Sequence, residues 1–274
     1  MNKVNIGLIG AGRIGKMHAE HLAFRVPDAN LVAVADVFPE AAQQCAATCR
    51  VPAAFSDYRR ILDDPDVDAV VICSSTDTHA QIIEEAAAAG KHIFCEKPID
   101  FDLARIDRAL AAVERAGVKL QIGFNRRFDP SFKRARDLVA AGKIGEPHIV
   151  RITSRDPGPP PISYIKVSGG IFLDMTIHDF DMARYLIGDE VTEIFAIGAV
   201  LVDPEIGKAG DIDTAVITLR YQGGAIGTID NSRKAVYGYD QRVEVFGSEG
   251  AVVVSNNKRD SAVLSDAQGV HGAL

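Results

Sequence analysis

The stretch Val4–Gly15, which reads VNIGLIGAGRIG, decides the fold of the first half of this chain. Its apolar residues up to Ile9 predict a buried strand, and a helical pattern continues from the glycines to about Arg25. The motif G-x-G-x-x-G between a strand and a helix is typical of a turn that holds a dinucleotide pyrophosphate. The motif alone is weak evidence, so the residues around it decide its interpretation.

Each glycine of the motif has a predicted task. Gly10 permits the tight turn, Gly12 lets the backbone approach the pyrophosphate, and Gly15 lets the helix pack closely on the strand. The predicted cofactor contacts in this turn are Gly10, Gly12, Arg13, Ile14 and Gly15.

A second predicted strand, Leu31 to Ala35, ends at Asp36, about 20 residues past the glycine motif. An acid at this distance accepts hydrogen bonds from a ribose hydroxyl and repels a 2′-phosphate, so we predict that the cofactor is NAD rather than NADP. No arginine follows Asp36 directly, which favours the same cofactor. The alternative for Asp36 is the N-cap of the next helix.

Strands and helices alternate up to Phe124, which predicts a doubly wound parallel sheet with its ligand crevice outside the carboxyl ends of the strands. Polar residues after two of these strands are therefore predicted cofactor contacts: Ser75, Thr76, His79, Glu96 and Lys97. Residues 75–78 also offer capping groups for the following helix. The alternatives are a capping or solvent-facing role for His79 and a surface ion pair for Lys97. Pro98 is expected in a turn, with a cis bond as one option.

The pattern changes after Phe124. A helix is predicted from Ser131 to Ala141, and strands then dominate. Short glycine-containing connections at 222–224 and 247–250 predict hairpins, and hence a mainly antiparallel sheet. We therefore expect an NAD-binding domain over residues 1–124 and a domain for substrate and oligomerisation over residues 125–274.

Within the second half, the pair Gly169-Gly170 ends the preceding structure, and an amphipathic helical pattern follows as far as Asp181. Asp174 and His178 are four residues apart, so they share one face of an α-helix. A carboxylate beside an imidazole is a common way to build a general base. The alternative is an ordinary surface ion pair. Asp156, at the base of a proline-rich loop, either binds a polyol hydroxyl or opens a turn.

Composition and charge exclude several classes of protein. The net charge is −7 and no basic block occurs, so nucleic acid is not an expected partner. No apolar run reaches the length of a membrane helix, and the strand pattern at the N-terminus leaves no room for a signal peptide. The four cysteines lack the spacing of metal ligands, so we expect free thiols in a cytoplasmic protein and no metal site.

Four motifs in order resemble the Gfo/Idh/MocA oxidoreductases, and the resemblance covers essentially the whole chain. They are Gly10–Gly15, Glu96-Lys97-Pro98, Gly123–Phe128 and Asp174-x-x-x-His178. The loop Arg155-Asp156-Pro157 and the segment Gly170–Asp179 look most like the inositol 2-dehydrogenase branch of that family.

This resemblance implies a Rossmann domain followed by an α+β domain with a large open sheet, through which dimers or tetramers form. It implies a catalytic set of Lys97, Asp174 and His178. The same three residues, with Arg127, Asp156 and Tyr237, would hold the substrate; the alternative for Tyr237 is a core or hairpin aromatic. Family members usually continue past Leu274, so we expect a missing C-terminal helix and closing strand, with residues 267–274 in neither helix nor strand.

The function that this resemblance implies is the NAD-dependent oxidation of a cyclic polyol, such as myo-inositol, to the ketone by hydride transfer. Three alternatives remain open. They are a dehydrogenase for another sugar or sugar acid, a non-catalytic NAD-binding regulator, and an NAD-dependent hydrolase or lyase in which the hydride returns to the substrate.

Overall fold

A computed structural model describes residues 3–256, 263–266 and 269–272. The chain divides into two compact units, an N-terminal unit that ends at Phe124 and a C-terminal unit that begins at Asn125. No helix within the described ranges has both the length and the apolar character needed to cross a membrane.

The N-terminal unit contains a six-stranded sheet in which all neighbours are parallel, with the order β3-β2-β1-β4-β5-β6. Its strands are β1 Val4–Ile9, β2 Ala29–Ala35, β3 Ala53–Phe55, β4 Ala69–Ile72, β5 His92–Cys95 and β6 Leu120–Ile122. Its helices are α1 Arg13–Phe24, α2 Pro39–Cys49, α3 Arg59–Leu62, α4 Thr76–Ala88 and α5 Leu103–Ala116. The predicted doubly wound parallel sheet is confirmed.

Apolar cores cover both faces of this parallel sheet, because successive side chains of a strand point to opposite faces. Leu8 of β1 packs in one core with Ala46 of α2. The next residue, Ile9, packs in the other core with Ile83 of α4. The order of the strands reverses between β1 and β4, and ligands bind in the crevice at the carboxyl ends of such a pair.

The C-terminal unit is built on a second six-stranded sheet, with the order β12-β11-β7-β10-β9-β8. Its strands are β7 Pro147–Arg155, β8 Val191–Ala199, β9 Thr214–Tyr221, β10 Ile226–Ser232, β11 Asp240–Gly247 and β12 Gly250–Val254. Its helices are α6 Pro130–Ala140, α7 Ile162–Ile165, α8 Ile177–Ile187 and α9 Pro204–Lys208. A 3₁₀ turn spans Asn125–Phe128, and a π turn spans Phe172–Thr176.

Only the β7–β10 pair of this sheet is parallel, so the predicted mainly antiparallel arrangement is confirmed. The two predicted hairpins join β9 to β10 and β11 to β12. Val139 of α6 and Leu186 of α8 pack with Ile217 and Val245 on one face of the sheet. The residues that point to the opposite face are largely exposed.

The structure corrects one prediction for the end of the chain. Residues 269–272 form a strand, β14 Gly269–Gly272, which pairs antiparallel with β13 Val263–Asp266. The prediction that this stretch lacks a strand was wrong, because a four-residue strand between glycines carries too little periodicity to be recognised. Residues 267, 268, 273 and 274 lie outside the described part of the chain.

Candidate active site

The glycine turn brings β1, α1 and the end of β4 into close contact. Gly10 has φ +96°, and a Cβ added there would lie 2.5 Å from the backbone nitrogen of Ser74. A Cβ on Gly15 would lie 1.9 Å from the carbonyl oxygen of Gly10. These two positions therefore need glycine for the turn itself.

Gly12 differs from both, because a Cβ added there meets nothing within 4 Å. Gly12 is the N-cap of α1, makes no side-chain cap, and is followed by no acidic residue in the first turn. The unpaired N–H groups and the dipole of a helix N-terminus favour an anion. A dinucleotide pyrophosphate fits this open, positively polarised place.

Asp36 is tied to the glycine turn. Its Oδ2 accepts the backbone N–H of Ala11 at 2.7 Å, and its Oδ1 accepts that of Phe38 at 2.9 Å. The N-cap of α2 is Phe38, so the alternative of a helix cap is excluded for Asp36. A carboxylate has about four acceptor sites, so these two bonds leave capacity for ribose hydroxyls.

The residues after β4 depart from the prediction. Ser75 is the N-cap of α4, but its hydroxyl makes no capping bond, and Thr78 Oγ1 instead donates to the Ser75 carbonyl at 2.7 Å. The capping groups predicted among residues 75–78 therefore do not include the Ser75 hydroxyl. Thr76 is the first residue of α4.

His79 is neither a helix cap nor solvent-facing, since it is only 1% exposed. Its Nδ1 lies 2.8 Å from the carbonyl oxygen of Pro98, and its Nε2 lies 3.0 Å from that of Ser74. Both ring nitrogens thus lie against backbone carbonyl oxygens, to one of which a neutral imidazole can donate, so the predicted cofactor contact through this ring is not supported. His79 instead links the segment after β4 to the segment after β5.

The triplet Glu96-Lys97-Pro98 directly follows β5, and the Lys97–Pro98 peptide bond is cis. Glu96 Oε1 lies 2.7 Å from Nε2 of His18 on α1. A Cβ on Gly123 would come within 3.0 Å of Glu96 Oε2. Glu96 is therefore packed between α1 and the segment after β6, and Lys97 lies half-buried beside it.

The four cysteines are free, as predicted. Burial raises the pKa of the Cys45 thiol to about 11 and also raises the pKa values of Cys49, Cys73 and Cys95. Thiols with raised pKa values are poor nucleophiles. Among the described residues, no cluster of His, Cys, Asp and Glu is arranged to hold a metal ion.

In the C-terminal unit, Gly169 and Gly170 have φ +81° and φ +80°, and a helical segment follows them as predicted. The segment contains an irregularity that spacing could not reveal: Asp174 lies in the π turn, and His178 lies in the first turn of α8. The two side chains are therefore not related by simple α-helical geometry. Single π turns inside helices occur frequently at functional sites.

Both oxygens of Asp174 are held. The hydroxyl of Tyr164 donates to Oδ1 at 2.8 Å, and Nη1 of Arg233 donates to Oδ2 at 3.1 Å. The Asp174 side chain is 15% exposed, so the alternative of an ordinary surface ion pair is not supported. Sequence reasoning missed Tyr164 and Arg233; the polar run Asp230–Arg233 at the carboxyl end of β10 was the available signal.

Asp156, directly after β7, shares this environment. Burial raises the pKa of its carboxyl, the nearby charge of Arg233 lowers it, and that of Asp174 raises it again. Its backbone is fixed on both sides, because its N–H donates to Ser232 at 3.0 Å and its carbonyl accepts the N–H of Ala235 at 2.6 Å. Asp156 is therefore well placed to hold a polar ligand beside Asp174.

Two predicted substrate contacts have other partners. Arg127 donates to Asp181 through Nε and Nη2, which raises its pKa, and its guanidinium stacks on Tyr185 at 5.1 Å. The Tyr237 hydroxyl donates to Asp240 at 2.8 Å and accepts from Arg155 at 3.1 Å. The Tyr237 ring is exposed rather than part of the core. Neither residue is supported as a primary contact for substrate hydroxyls.

A buried polar network fixes the first turn of α8, which carries His178. Asp179 is fully buried and accepts from Arg126 and, at 2.8 Å, from Nδ2 of Asn231. Thr176 Oγ1 donates to Oδ1 of Asn231 at 2.6 Å. Burial raises the pKa of Asp179, and the charge of Arg126 opposes this shift.

Known protein families match both the N-terminal and the C-terminal unit. The family described as "Oxidoreductase family, NAD-binding Rossmann fold" matches residues 4–124, and the "GFO/IDH/MocA C-terminal domain" matches residues 132–253. The expected NAD-binding Rossmann half is thereby confirmed. The myo-inositol 2-dehydrogenase of Thermotoga maritima is 55% identical over 98% of this chain and 80% of its own length.

Two further relatives are similar over almost the whole chain. The inositol 2-dehydrogenase of Rhizobium meliloti is 52% identical over 97% of this chain and 80% of its own length. The crystal structure of scyllo-inositol dehydrogenase from Lactobacillus casei, with bound cofactor NAD(H) and scyllo-inositol, has a TM-score of 0.90 and 33% identity over 98% of this chain and 82% of that one. With both halves matched, the chain belongs to the Gfo/Idh/MocA oxidoreductase family.

Proposed function

We propose that this protein oxidises a cyclic polyol, myo-inositol or a close relative, to the corresponding ketone with NAD as the hydride acceptor. The observation that carries the proposal is Asp174, which is fixed at both oxygens on the helical segment that also carries His178. The names of the relatives at 52 and 55% identity support the same reaction.

The cofactor would be held by the open turn at Gly12, the N-terminus of α1 and the carboxylate of Asp36. Bound NAD supplies a nicotinamide that accepts a hydride from the carbinol carbon. Ser75 and Thr76 follow β4 at the crevice edge of the parallel sheet, and Glu96 and Lys97 follow β5. They remain proposed cofactor contacts by that placement.

In this proposal His178 removes the proton of the reacting hydroxyl. Asp174 orients the imidazole and stabilises its positive charge, which a fixed carboxylate does better than a mobile one. Lys97 donates a hydrogen bond to the reacting oxygen, where its charge stabilises developing alkoxide character. The three residues thus divide proton removal, orientation and charge stabilisation.

The charges of the C-terminal unit favour a neutral polyol over a sugar acid. Asp156 and Asp174 supply acceptors for hydroxyl groups, whereas the guanidinium groups of Arg233 and Arg127 are already paired with carboxylates. A negatively charged substrate would meet two acids without a new partner from either arginine. A cyclic polyol is therefore the better substrate for this site than a sugar acid.

We also propose that the protein assembles into dimers or tetramers through the face of the C-terminal sheet that α6 and α8 leave uncovered. Large apolar side chains on this face are 46 to 63% exposed: Phe195, Ile197, Val216, Ile226, Phe246 and Val253. An exposed apolar area of this kind is typical of an interaction surface.

We also propose a cytoplasmic location, which the four free thiols support.

A panel of polyols, sugars and sugar acids with NAD and NADP, scored by absorbance of the reduced nicotinamide, tests the reaction. We expect reduced NAD with myo-inositol or a close relative. A preference for a sugar acid, or turnover without net reduced cofactor, contradicts the proposal. His178→Ala should lower turnover roughly 100- to 10,000-fold with NAD affinity nearly intact, and equal turnover would remove His178 from the mechanism.

Analytical ultracentrifugation tests the assembly. Phe195→Lys places a charge in the uncovered face and should shift the protein towards monomer. Leu103→Lys is the matched control, because Leu103 is also an exposed apolar residue but lies on α5. A wild-type monomer, or equal association of both variants, contradicts this surface.

A further inference from the structure

Arg233 is a buried cation between two carboxylates. Its side chain is 1% exposed, its Nη1 lies 3.1 Å from Asp174 Oδ2, and its Nη2 lies 3.2 Å from Asp211 Oδ2. A planar guanidinium can bridge two carboxylates in a fixed geometry, which the single ammonium of lysine does less well. The backbone N–H of Arg233 donates to the Asp213 carbonyl at 2.8 Å, so the residue is held at both ends.

Asp211 connects Arg233 to the start of the helical segment that carries Asp174. Its Oδ1 accepts the backbone N–H of Ile171 at 3.0 Å. The same oxygen would lie 2.9 Å from a Cβ on Gly170, so only glycine fits beside it without movement. The carboxylate of Asp211 therefore fixes both the beginning of this segment and the side chain of Arg233. Arg233 in turn donates to Asp174.

The charge of Arg233 also reaches Asp156. Burial is the largest influence on the pKa of Asp156 and raises it. The charge of Arg233 is the strongest of the charges that oppose this shift. Asp174 and Asp179 raise the same pKa, and Arg126 lowers it. Two acids at the candidate substrate site thus depend on one buried cation.

We propose that Arg233 is a positioning residue of the active site, and that Asp211 anchors it. Arg233 fixes the carboxylate of Asp174 and offsets the negative charge of Asp156, so both acids can accept hydrogen bonds from substrate hydroxyls. This inference rests on the proposed function, because it acts through Asp174. Arg233 itself is not assigned a contact with substrate or cofactor.

The kinetic test compares Arg233→Met, Arg233→Lys and Asp211→Asn with wild type. Arg233→Met should lower kcat about 100-fold, the loss expected when a catalytic group is displaced by about 1 Å, while the Kd for NAD changes less than twofold. Arg233→Lys should recover part of this loss, because it restores the charge without the planar fork. Asp211→Asn keeps an acceptor for Ile171 and should lower kcat roughly tenfold.

The pH profile separates positioning from a merely structural role. Arg233 is paired with Asp174 and Asp211, and its charge acts on Asp156, on which Asp174, Asp179 and Arg126 also act. The hydroxyl of Tyr164 donates to Asp174. Loss of the positive charge favours protonation of Asp156, so the acidic limb of kcat/KM should move to higher pH in Arg233→Met. Arg184→Met is the matched control: Arg184 is also paired with a carboxylate, Glu190, but at the surface, and its limb should stay in place.

A measurement without substrate keeps this inference separate from the proposed function. Carbon-13 NMR titration of aspartate carboxyls, assigned with Asp156→Asn, should show a higher pKa for Asp156 in Arg233→Met than in wild type. If wild type oxidises no polyol, the proposed function fails, and this titration still decides whether Arg233 controls the acids. An unchanged Asp156 titration overturns the inference.

Folding is followed by circular dichroism on every variant. If Arg233→Met does not fold, Arg233→Lys and Asp211→Asn carry the test. Folded variants that melt lower but keep the wild-type kcat and pH profile would show a structural role only, which overturns the proposal.

Discussion

Gly12 and Gly15 of the glycine motif should respond differently when each is replaced by alanine. A Cβ on Gly12 meets no atom within 4 Å, and the backbone there has φ −70°, which any residue adopts. Gly12→Ala should therefore keep or slightly raise the free energy of unfolding, by up to about 1 kcal/mol. Its methyl group occupies the space assigned to the pyrophosphate, so the Kd for NADH should rise tenfold or more, a loss of about 1.4 kcal/mol.

Gly15→Ala should instead lower the free energy of unfolding. Its Cβ would lie 1.9 Å from the Gly10 carbonyl oxygen and 2.9 Å from the Gly10 carbonyl carbon, so backbone must move. Overpacking of this kind costs about 1 to 3 kcal/mol or more. For a unit of this size that loss lowers the melting temperature by roughly 4 to 12 °C.

Differential scanning fluorimetry without cofactor measures the stability effect, and NADH fluorescence titration measures the binding effect. Gly158→Ala is the control, because a Cβ at Gly158 also meets nothing within 4 Å but lies in the loop after β7. Wild-type NADH affinity in Gly12→Ala would refute the assignment of this turn to the pyrophosphate. An unchanged melting temperature in Gly15→Ala would refute the close packing of α1 on the Gly10 carbonyl.

Three further predictions concern single side chains. Asp36→Ser should weaken NAD and relax discrimination against NADP, because the acid that repels a 2′-phosphate is removed; an unchanged ratio of kcat/KM for the two cofactors contradicts its role. His79→Leu leaves the carbonyls of Ser74 and Pro98 without their buried partner and should lower the free energy of unfolding by about 2 kcal/mol, measured by urea denaturation; equal stability contradicts the bridging role. Burial raises the pKa of Asp240, but hydrogen bonds from Arg242, Asn256 and Tyr237 outweigh it and hold the pKa at about 2. A depressed pKa stabilises the fold above the unfolded value, so Asp240→Asn should cost about 2 kcal/mol at pH 7, and this difference should shrink as pH falls from about 4 to 2; a pH-independent difference refutes the ion-pair explanation.

The fold was largely predictable because the strands and turns of both sheets have clear sequence patterns. Apolar strands such as Val4–Ile9, followed by glycine turns and helices, identify the parallel sheet, and two short glycine connections identify the hairpins. The strand Ala53–Phe55 was missed because three residues carry no usable periodicity. The π turn was missed because a five-residue turn inside a helix has no sequence signature of its own.

The candidate site was predictable only where a motif is local. The glycine turn and Asp36 were recognised because their spacing along the chain reflects their contact in the fold. Arg233 and Asp211 were missed because their contacts with Asp174 and Ile171 span 59 and 40 residues. Arg127 and Tyr237 were assigned to substrate because sequence alone does not reveal that Asp181 and Asp240 already bind them.

Transfer of deuterium tests the proposed reaction most directly. Myo-inositol deuterated at all six ring carbons is incubated with NAD and the protein, and the reduced cofactor is analysed by mass spectrometry. Direct hydride transfer predicts one deuterium in the reduced nicotinamide for each ketone formed, with the same transfer in His178→Ala at a rate roughly 100- to 10,000-fold lower. Ketone formed with its deuterium released to water, or no labelled cofactor from this or any related cyclic polyol, would contradict it.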